Sequence, residues 1–244
     1  MRRMLVDAAR TLVPPPGDRH GPLPPLMLTL TVVTGLVDAV SYLGLGHVFV
    51  ANMTGNVVFL GFAFAGAEGL SAPASIVSLA AFLAGAVAGG RFGVRLGAHR
   101  GRLLATAMTV QVVLLLAALG TTLAARDELG TGVRYTLIVT LALAMGLQNA
   151  AVRRLGVPDL TTTVLTLTLT GLAADSGPAG GTGPRPGRRV LSVLAMFLGA
   201  LVGAVLLREA GVPVVLGVAL ALVSGAAAVL WRLSRPGVGW APAP

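Results

Sequence analysis

Apolar residues run through the chain in eight blocks, at roughly 26–46, 52–67, 73–94, 103–125, 134–151, 160–174, 190–207 and 212–231, parted by short loops that hold most of the charge. A helix needs about 20 residues to cross the hydrocarbon core, and six of the blocks approach or meet that length. The blocks at 52–67 and 160–174 are short, and they are also the most polar. The first holds Asn52, Thr54 and Asn56; the second holds Thr161, Thr162, Thr163, Thr166, Thr168 and Thr170. The pattern predicts an all-α integral membrane protein in which these two segments either tilt across the bilayer or dip in and return.

Arginine placement decides between those arrangements, because basic residues in short loops collect on the cytoplasmic side. If all eight blocks cross, the arginines divide eleven to seven. If the two short segments enter and leave on one side, 15 lie on one face and only Arg126, Arg134 and Arg208 on the other. Six spans are therefore expected, with both termini and the loop GGRFGVRLGAHRGR cytoplasmic in a bacterial inner membrane. Residues 1–25 become an N-terminal tail, 26–233 one transmembrane domain, and 234–244 a C-terminal tail. The two short segments become broken or re-entrant helices on opposite faces, since irregular backbone at membrane depth persists only against protein or a wet cavity.

Composition agrees. The chain is 55% hydrophobic and 11% charged, with mean hydropathy +0.86, whereas soluble domains carry roughly 25% charged residues. Charges and prolines interrupt the first 25 residues, so no signal-peptide core follows Arg2 and Arg3. All 18 basic residues are arginine, against nine acids. Their confinement to loops makes them topology determinants rather than a nucleic-acid surface, and the Arg91 to Arg102 run also suits anionic lipid. No cysteine is present, which removes disulfides and thiolate chemistry. His20, His47 and His99 lack metal-ligand spacing, and no acid–base or nucleophile constellation is visible. Neither an enzyme, nor a metal, nor a cofactor is expected.

The two halves resemble each other. Gly35-Leu36-Val37-Asp38-Ala39 matches Gly146-Leu147-Gln148-Asn149-Ala150 at an offset of 111; Met53-Thr54-Gly55-Asn56 falls on Leu165-Thr166-Leu167-Thr168 at 112; Gly85-x-x-x-Gly89 falls on Gly199-x-x-x-Gly203 at 114. Repeats of about 26–125 and 134–233, each with three spans, would run through the membrane in opposite senses. The expected fold is a 3+3 inverted repeat, the arrangement in which broken helices of transporters meet near the midplane.

Asp38, predicted about eight residues from the outer end of its helix, would lie roughly 12 Å deep at 1.5 Å per residue. A carboxylate there is costly unless paired, hydrated or protonated. It could serve as cation ligand, proton carrier or hydrogen-bond anchor, with Tyr42 or Asn149 as partner. Asn149, its counterpart in the second half, supplies an amide, and Gln148 adds another. Asn52, Thr54, Gly55 and Asn56 form a polar knot in which Gly55 would permit a tight turn near mid-depth. Thr162, Thr163 and Thr166 form the second knot, with Asp159 as a candidate N-cap. Gly85, Gly89, Gly199 and Gly203 are expected to pack helices, with dimerisation a secondary role.

The runs GLVDAVSYLGLGHVFVANMTGNVVFLG and MGLQNAAVRRLGVPDLTTTVLTLTLTGLAADS resemble the YoaK-like family of bacterial inner-membrane proteins, whose function is unknown. The resemblance covers about residues 25 to 233 and implies six spans, with no established substrate. Where many relatives have Thr-Gly in the second polar segment, this chain has Thr166-Leu167. The loop GGRFGVRLGAHRGRLL is also similar to the basic loop after the second span of major facilitator transporters, in which a six-span half is itself a three-plus-three repeat.

These observations favour a half-size secondary transporter for a small solute or ion, completed by homodimerisation, with Asp38 coupling movement to a proton or cation. A channel or facilitator, and a non-transporting membrane scaffold or lipid-binding protein, are the alternatives. The opposed arrangement has a direct check in a chain without cysteine. Single cysteines at positions 55 and 166 are expected to react with impermeant reagent from opposite faces, and reaction of both from one face alone would refute it.

Overall fold

The computed structural model describes residues 2–96, 98–125, 129–163, 165–183 and 185–234. Arg126, Arg235 and the C-terminal tail beyond 234 lie outside the described residues. The helices are α1 (Arg2–Leu12), α2 (Leu23–Gly44), α3 (Met53–Phe64), α4 (Ala72–Leu96), α5 (Arg100–Ala124), α6 (Thr131–Leu155), α7 (Leu165–Ala174), α8 (Pro186–Ala210) and α9 (Val212–Leu233). Six of them, α2, α4, α5, α6, α8 and α9, are long and apolar enough to cross a membrane, and α3 and α7 are not.

Local chemistry explains several boundaries. Prolines occupy the first turns of α2, α8 and α9, where a fixed φ and a missing N–H cost nothing. His99 caps α5 by accepting from the Arg102 N–H at 3.2 Å. Gly156 ends α6 in the left-handed region, at φ +59°, as C-terminal glycines commonly do. The helix predicted from residue 160 begins instead at Leu165. Asp159 and Thr162 both hold positive φ, which is incompatible with helix there. Residues 1–25, expected to be a tail, include α1, which docks on α8.

The closest helix pairings are α4 with α6 and α2 with α8; α5 packs on both α6 and α9, and α2 on α9. Two three-helix groups result, α4–α5–α6 and α2–α8–α9, and they meet along α5 and α9. Glycine makes the crossings possible. A Cβ on Gly85 would overlap the Leu143 carbonyl, and one on Gly146 would overlap that of Phe82. In the other crossing, a Cβ on Gly199 would overlap the Val32 carbonyl, and one on Gly35 would lie 2.6 Å from Met196 O and Ala200 N. Gly89 and Gly203 face Leu147 and Ala150, and Leu36 and Ala39, with the same intimacy. These partners differ by 111 or 114 residues, the offsets seen in the sequence. The glycine stripes are thus consumed inside one chain rather than offered to a second.

Helix ends sort onto two faces. At one, Arg100 Nη2 at the start of α5 donates to the Leu155 carbonyl at the end of α6 (2.9 Å), and Nη1 donates to the Arg19 carbonyl ahead of α2 (3.1 Å). Gly93, near the end of α4, lies beside Arg154. At the other face, the end of α2 at Gly44 approaches Leu207 of α8 and Val212 of α9, and Gly46 approaches Arg134. The first face gathers nearly all the described arginines; Arg134 and Arg208 sit at the second.

His20 is buried on the arginine-rich face, with its ring nitrogens against Arg19 Nε (2.9 Å) and Arg100 Nη2 (3.0 Å). A neutral imidazole has one acceptor nitrogen, so only one of these contacts is a hydrogen bond at a time. Burial, reinforced by the charges of Arg100, Arg19 and Arg188, lowers its pKa from 6.5 to about 4. Between those values the unfolded chain takes up a proton that the folded chain refuses. Stability is therefore full above about pH 6.5 and falls as pH drops towards 4.

Two predictions follow from this packing. Gly85→Leu or Gly199→Leu should destabilise the purified protein by about 3 kcal/mol or more, read as a large fall in Tm in detergent, while Gly90→Leu, with no atom within 4 Å of its Cβ position, should leave Tm unchanged. Acidification from pH 7 to 5 should cost about 1–2 kcal/mol through His20, and His20→Gln should flatten that part of the Tm–pH curve.

Candidate functional site: two clamped loops

The polar residues singled out in the sequence organise two loops, 45–52 ahead of α3 and 156–163 ahead of α7. Both turn back along the helix they have just left. In the first, Asp38 Oδ1 accepts the backbone N–H groups of Ala51 (2.9 Å) and Val50 (3.2 Å). Asp38 lies six residues before the end of α2, so the loop returns about 9 Å along the helix axis. In the second, Asn149 lies six residues before the end of α6, and its Oδ1 accepts the Thr163 hydroxyl at 2.6 Å. The two loops fold back from opposite ends of the helix bundle.

This geometry revises the partners expected for Asp38. Tyr42 stacks on Phe49 (centroids 4.9 Å apart), meets His47 edge-on and touches Phe59; it gives Asp38 no hydrogen bond among the described residues. Asn149 does not reach Asp38 either, because α2 and α6 scarcely touch. Each side chain holds its own loop. The carboxylate is a hydrogen-bond anchor that satisfies two loop N–H groups with no helical partner. The residue as a whole is of intermediate burial.

Asn56 is fully buried and ties three elements together. Its Oδ1 accepts the Phe49 N–H (2.9 Å), and its Nδ2 donates to the Phe49 carbonyl (2.6 Å) and to Ser78 Oγ of α4 (3.3 Å). Ser78 in turn donates to the Phe49 carbonyl at 2.6 Å. Gly55 is not the turn that the sequence suggested. It lies inside the first turn of α3, and its requirement is steric: a Cβ would sit 2.7 Å from the Phe49 ring. A cysteine probe of this loop therefore belongs at the exposed Thr54 rather than at position 55. Asn52 is exposed and caps α3, its Oδ1 accepting the Gly55 N–H at 3.4 Å.

Gln148 centres a second buried knot. Its Oε1 accepts from Gln111 Nε2 of α5 (2.8 Å), and its Nε2 donates to Thr34 Oγ1 of α2 (3.0 Å) and Thr162 Oγ1 (3.3 Å). Thr162 is buried at φ +59°. Thr166, by contrast, is exposed on α7 and does not join these groups. Asp159 does not cap a helix; it pairs with Arg189 Nε at 3.0 Å. Arg189 also binds Asp175 (2.8 Å) and the Gly171 carbonyl, and the neighbouring Arg188 reaches the Pro158 carbonyl at 3.4 Å.

Each loop consequently bridges the two three-helix groups. The first is held by Asp38 of α2 and by Ser78 of α4. The second is held by Gln148 and Asn149 of α6, and by Arg188 and Arg189 of α8. Sequence reasoning missed Thr34, Ser78, Gln111, Arg188 and Arg189 as members of the site. A lone glutamine in the middle of α5 was the one available signal; the serine and threonine resembled ordinary helix residues, and the two arginines were absorbed into the topology count.

The chain belongs to a family described as proteins of unknown function (DUF1275), which matches residues 26–229. It is similar to the UPF0700 transmembrane protein YoaK of Bacillus subtilis (strain 168), with 32% identity over 150 residues, 62% of this chain. The match spans 65% of the length of that relative. No solved structure matches the chain.

Asn56→Ala should leave the Phe49 N–H without its partner, while the carbonyl keeps Ser78, and cost about 1–3 kcal/mol, measured as a fall in Tm. Asn52→Ala, which removes one exposed cap, should cost about 1 kcal/mol or less.

Proposed function

We propose that the protein is a secondary transporter for a small solute or ion, built as a 3+3 inverted repeat with both termini cytoplasmic. The observation that carries this reading is the pair of loops folded back from opposite ends of the bundle, each clamped by a polar residue of its preceding helix, Asp38 or Asn149. The glycine crossings support the repeat, because equivalent residues meet equivalent partners in both halves. The gathering of arginines on one face supports the orientation.

The clamps suggest a working cycle. Rocking of α4–α5–α6 against α2–α8–α9 about the α5–α9 contact would strain the first loop on one face and the second loop on the other. Asp38, as a carboxylate, accepts two N–H groups and holds the first loop down. Uptake of a proton at the carboxylate removes its charge and weakens both bonds, which frees the loop and ties solute movement to proton movement. Asn149 has no proton to exchange and keeps the second loop on a fixed latch. A scaffold reading draws on Asn56 and Gln148, which are buried and well partnered; Asp38 differs from both in carrying an exchangeable proton.

Purified protein in liposomes, with a pH-sensitive dye in the lumen and an imposed pH gradient, offers the test. Amino acids, carboxylates, sugars and inorganic cations added in turn should include one that moves protons. Asp38→Asn keeps an acceptor oxygen for the loop but removes titration, and should reduce that movement by roughly tenfold or more. Undiminished coupled uptake in the variant would remove Asp38 from the mechanism, and saturable uptake without proton movement would favour a facilitator.

A further inference from the structure

α1 presents two faces that the transport cycle does not use. Met4, Asp7, Ala8 and Thr11 form the docked side. A Cβ on Gly187 of α8 would overlap the Met4 carbonyl and the Ala8 nitrogen; Asp7 Oδ2 accepts the Arg188 N–H at 3.0 Å; and Arg188 Nε approaches Thr11 Oγ1 at 3.5 Å. With this side fixed, the helical period of 3.6 turns Leu5, Val6, Ala9, Leu12 and Val13 outwards. Leu5, Leu12 and Val13 are 61%, 51% and 78% exposed, far more than an aqueous surface would favour in so short a stretch. Arg2, Arg3 and Arg10 lie at or beside this apolar stripe and are also exposed.

What covers the stripe follows from where α1 is held. Its dock is the first turn of α8, the span whose central window is the least buried inside the protein, at 22%. α2 packs closely on one side of that span, and the rest of its apolar surface is left open by the other helices. α1 also lies on the face that gathers nearly all the arginines. A short amphipathic helix with leucine and valine on one side and arginine at its margin is suited to lie in the headgroup layer, where the apolar side enters the acyl boundary and the cations meet anionic headgroups.

We propose that α1 is an interfacial helix that docks the arginine-rich face onto anionic phospholipid, with Leu5, Val6, Leu12 and Val13 immersed and Arg3 and Arg10 reading headgroup charge. Asp7, Thr11 and Arg188 hold α1 to the rim of α8, so the state of the leaflet is transmitted to the helix that also clamps the second loop through Arg188 and Arg189. This inference stands whether or not the protein moves a solute.

The full chain, free of native cysteine, permits a clean experiment. Leu5→Cys, Leu12→Cys and, as an exposed control, Pro16→Cys would each carry an environment-sensitive fluorophore and be reconstituted in nanodiscs of phosphatidylcholine with or without phosphatidylglycerol. Emission at positions 5 and 12 is expected to shift to the blue and resist an aqueous quencher, more strongly with phosphatidylglycerol, while position 16 stays accessible. Adding Arg3→Gln and Arg10→Gln should weaken the preference for the anionic leaflet by about fivefold per arginine and leave Tm unchanged. Equal quenching at 5, 12 and 16 in both lipids would overturn the proposal. Protection that is indifferent to phosphatidylglycerol would overturn the anionic assignment, and protection accompanied by crosslinking between position-5 cysteines of two copies would assign the face to a second chain.

Discussion

Close approach of backbones at two helix crossings governs the rest of this fold. Helices in lipid gain little from hiding apolar side chains, since lipid tails are equally apolar, so association rests on van der Waals contact and on polar groups finding partners. Gly35 with Gly199, and Gly85 with Gly146, bring α2 onto α8 and α4 onto α6 until carbonyls occupy the space a Cβ would need. These crossings define the two three-helix groups. The two groups meet along α5 and α9, while α2 and α6 scarcely touch, so each holds a loop of its own.

The loops show how irregular backbone is accommodated at such depth. The N–H groups of the loop that follows α2 have no helical partner, and Asp38 satisfies two of them, those of Val50 and Ala51, with one oxygen. Asn56 does the same for both polar groups of Phe49. The halves differ in chemistry: a carboxylate on backbone N–H groups in one, an amide on a threonine hydroxyl in the other. That difference confines the titratable side chain to the first of the two loops. At the other end of the bundle, Arg188 and Arg189 join α1, α7, α8 and the second loop, so α1 and the loop share an anchor.

The six helices long enough to span and the shortness and polarity of α3 and α7 were legible in the sequence, because they depend on local quantities. Run length against bilayer thickness, arginine bias between loops and the spacing of glycines need no knowledge of neighbours. The family resemblance carried by GLVDAVSYLGLGHVFVANMTGN agreed with them. Less legible was the start of α7, where left-handed Asp159 and Thr162 defeat helical propensity, and α1, where arginines in the first ten residues suggested a tail although alternate faces fit both protein and membrane.

What the sequence determined by itself was therefore the solvent of each segment and the order of the spans, since hydropathy and charge act residue by residue. Only tertiary structure decided what the polar groups hold. Asp38 could have paired with Tyr42 or Asn149 on spacing alone; it binds Val50 and Ala51, because the glycine crossings keep α2 and α6 apart and the chain after Gly44 must turn back to satisfy its own backbone. Gly55 could have been a turn, and it proved to be the space left for the Phe49 ring. A hydrogen bond needs two atoms within about 3 Å in the right direction, and such distances between remote residues exist only once the helices have packed.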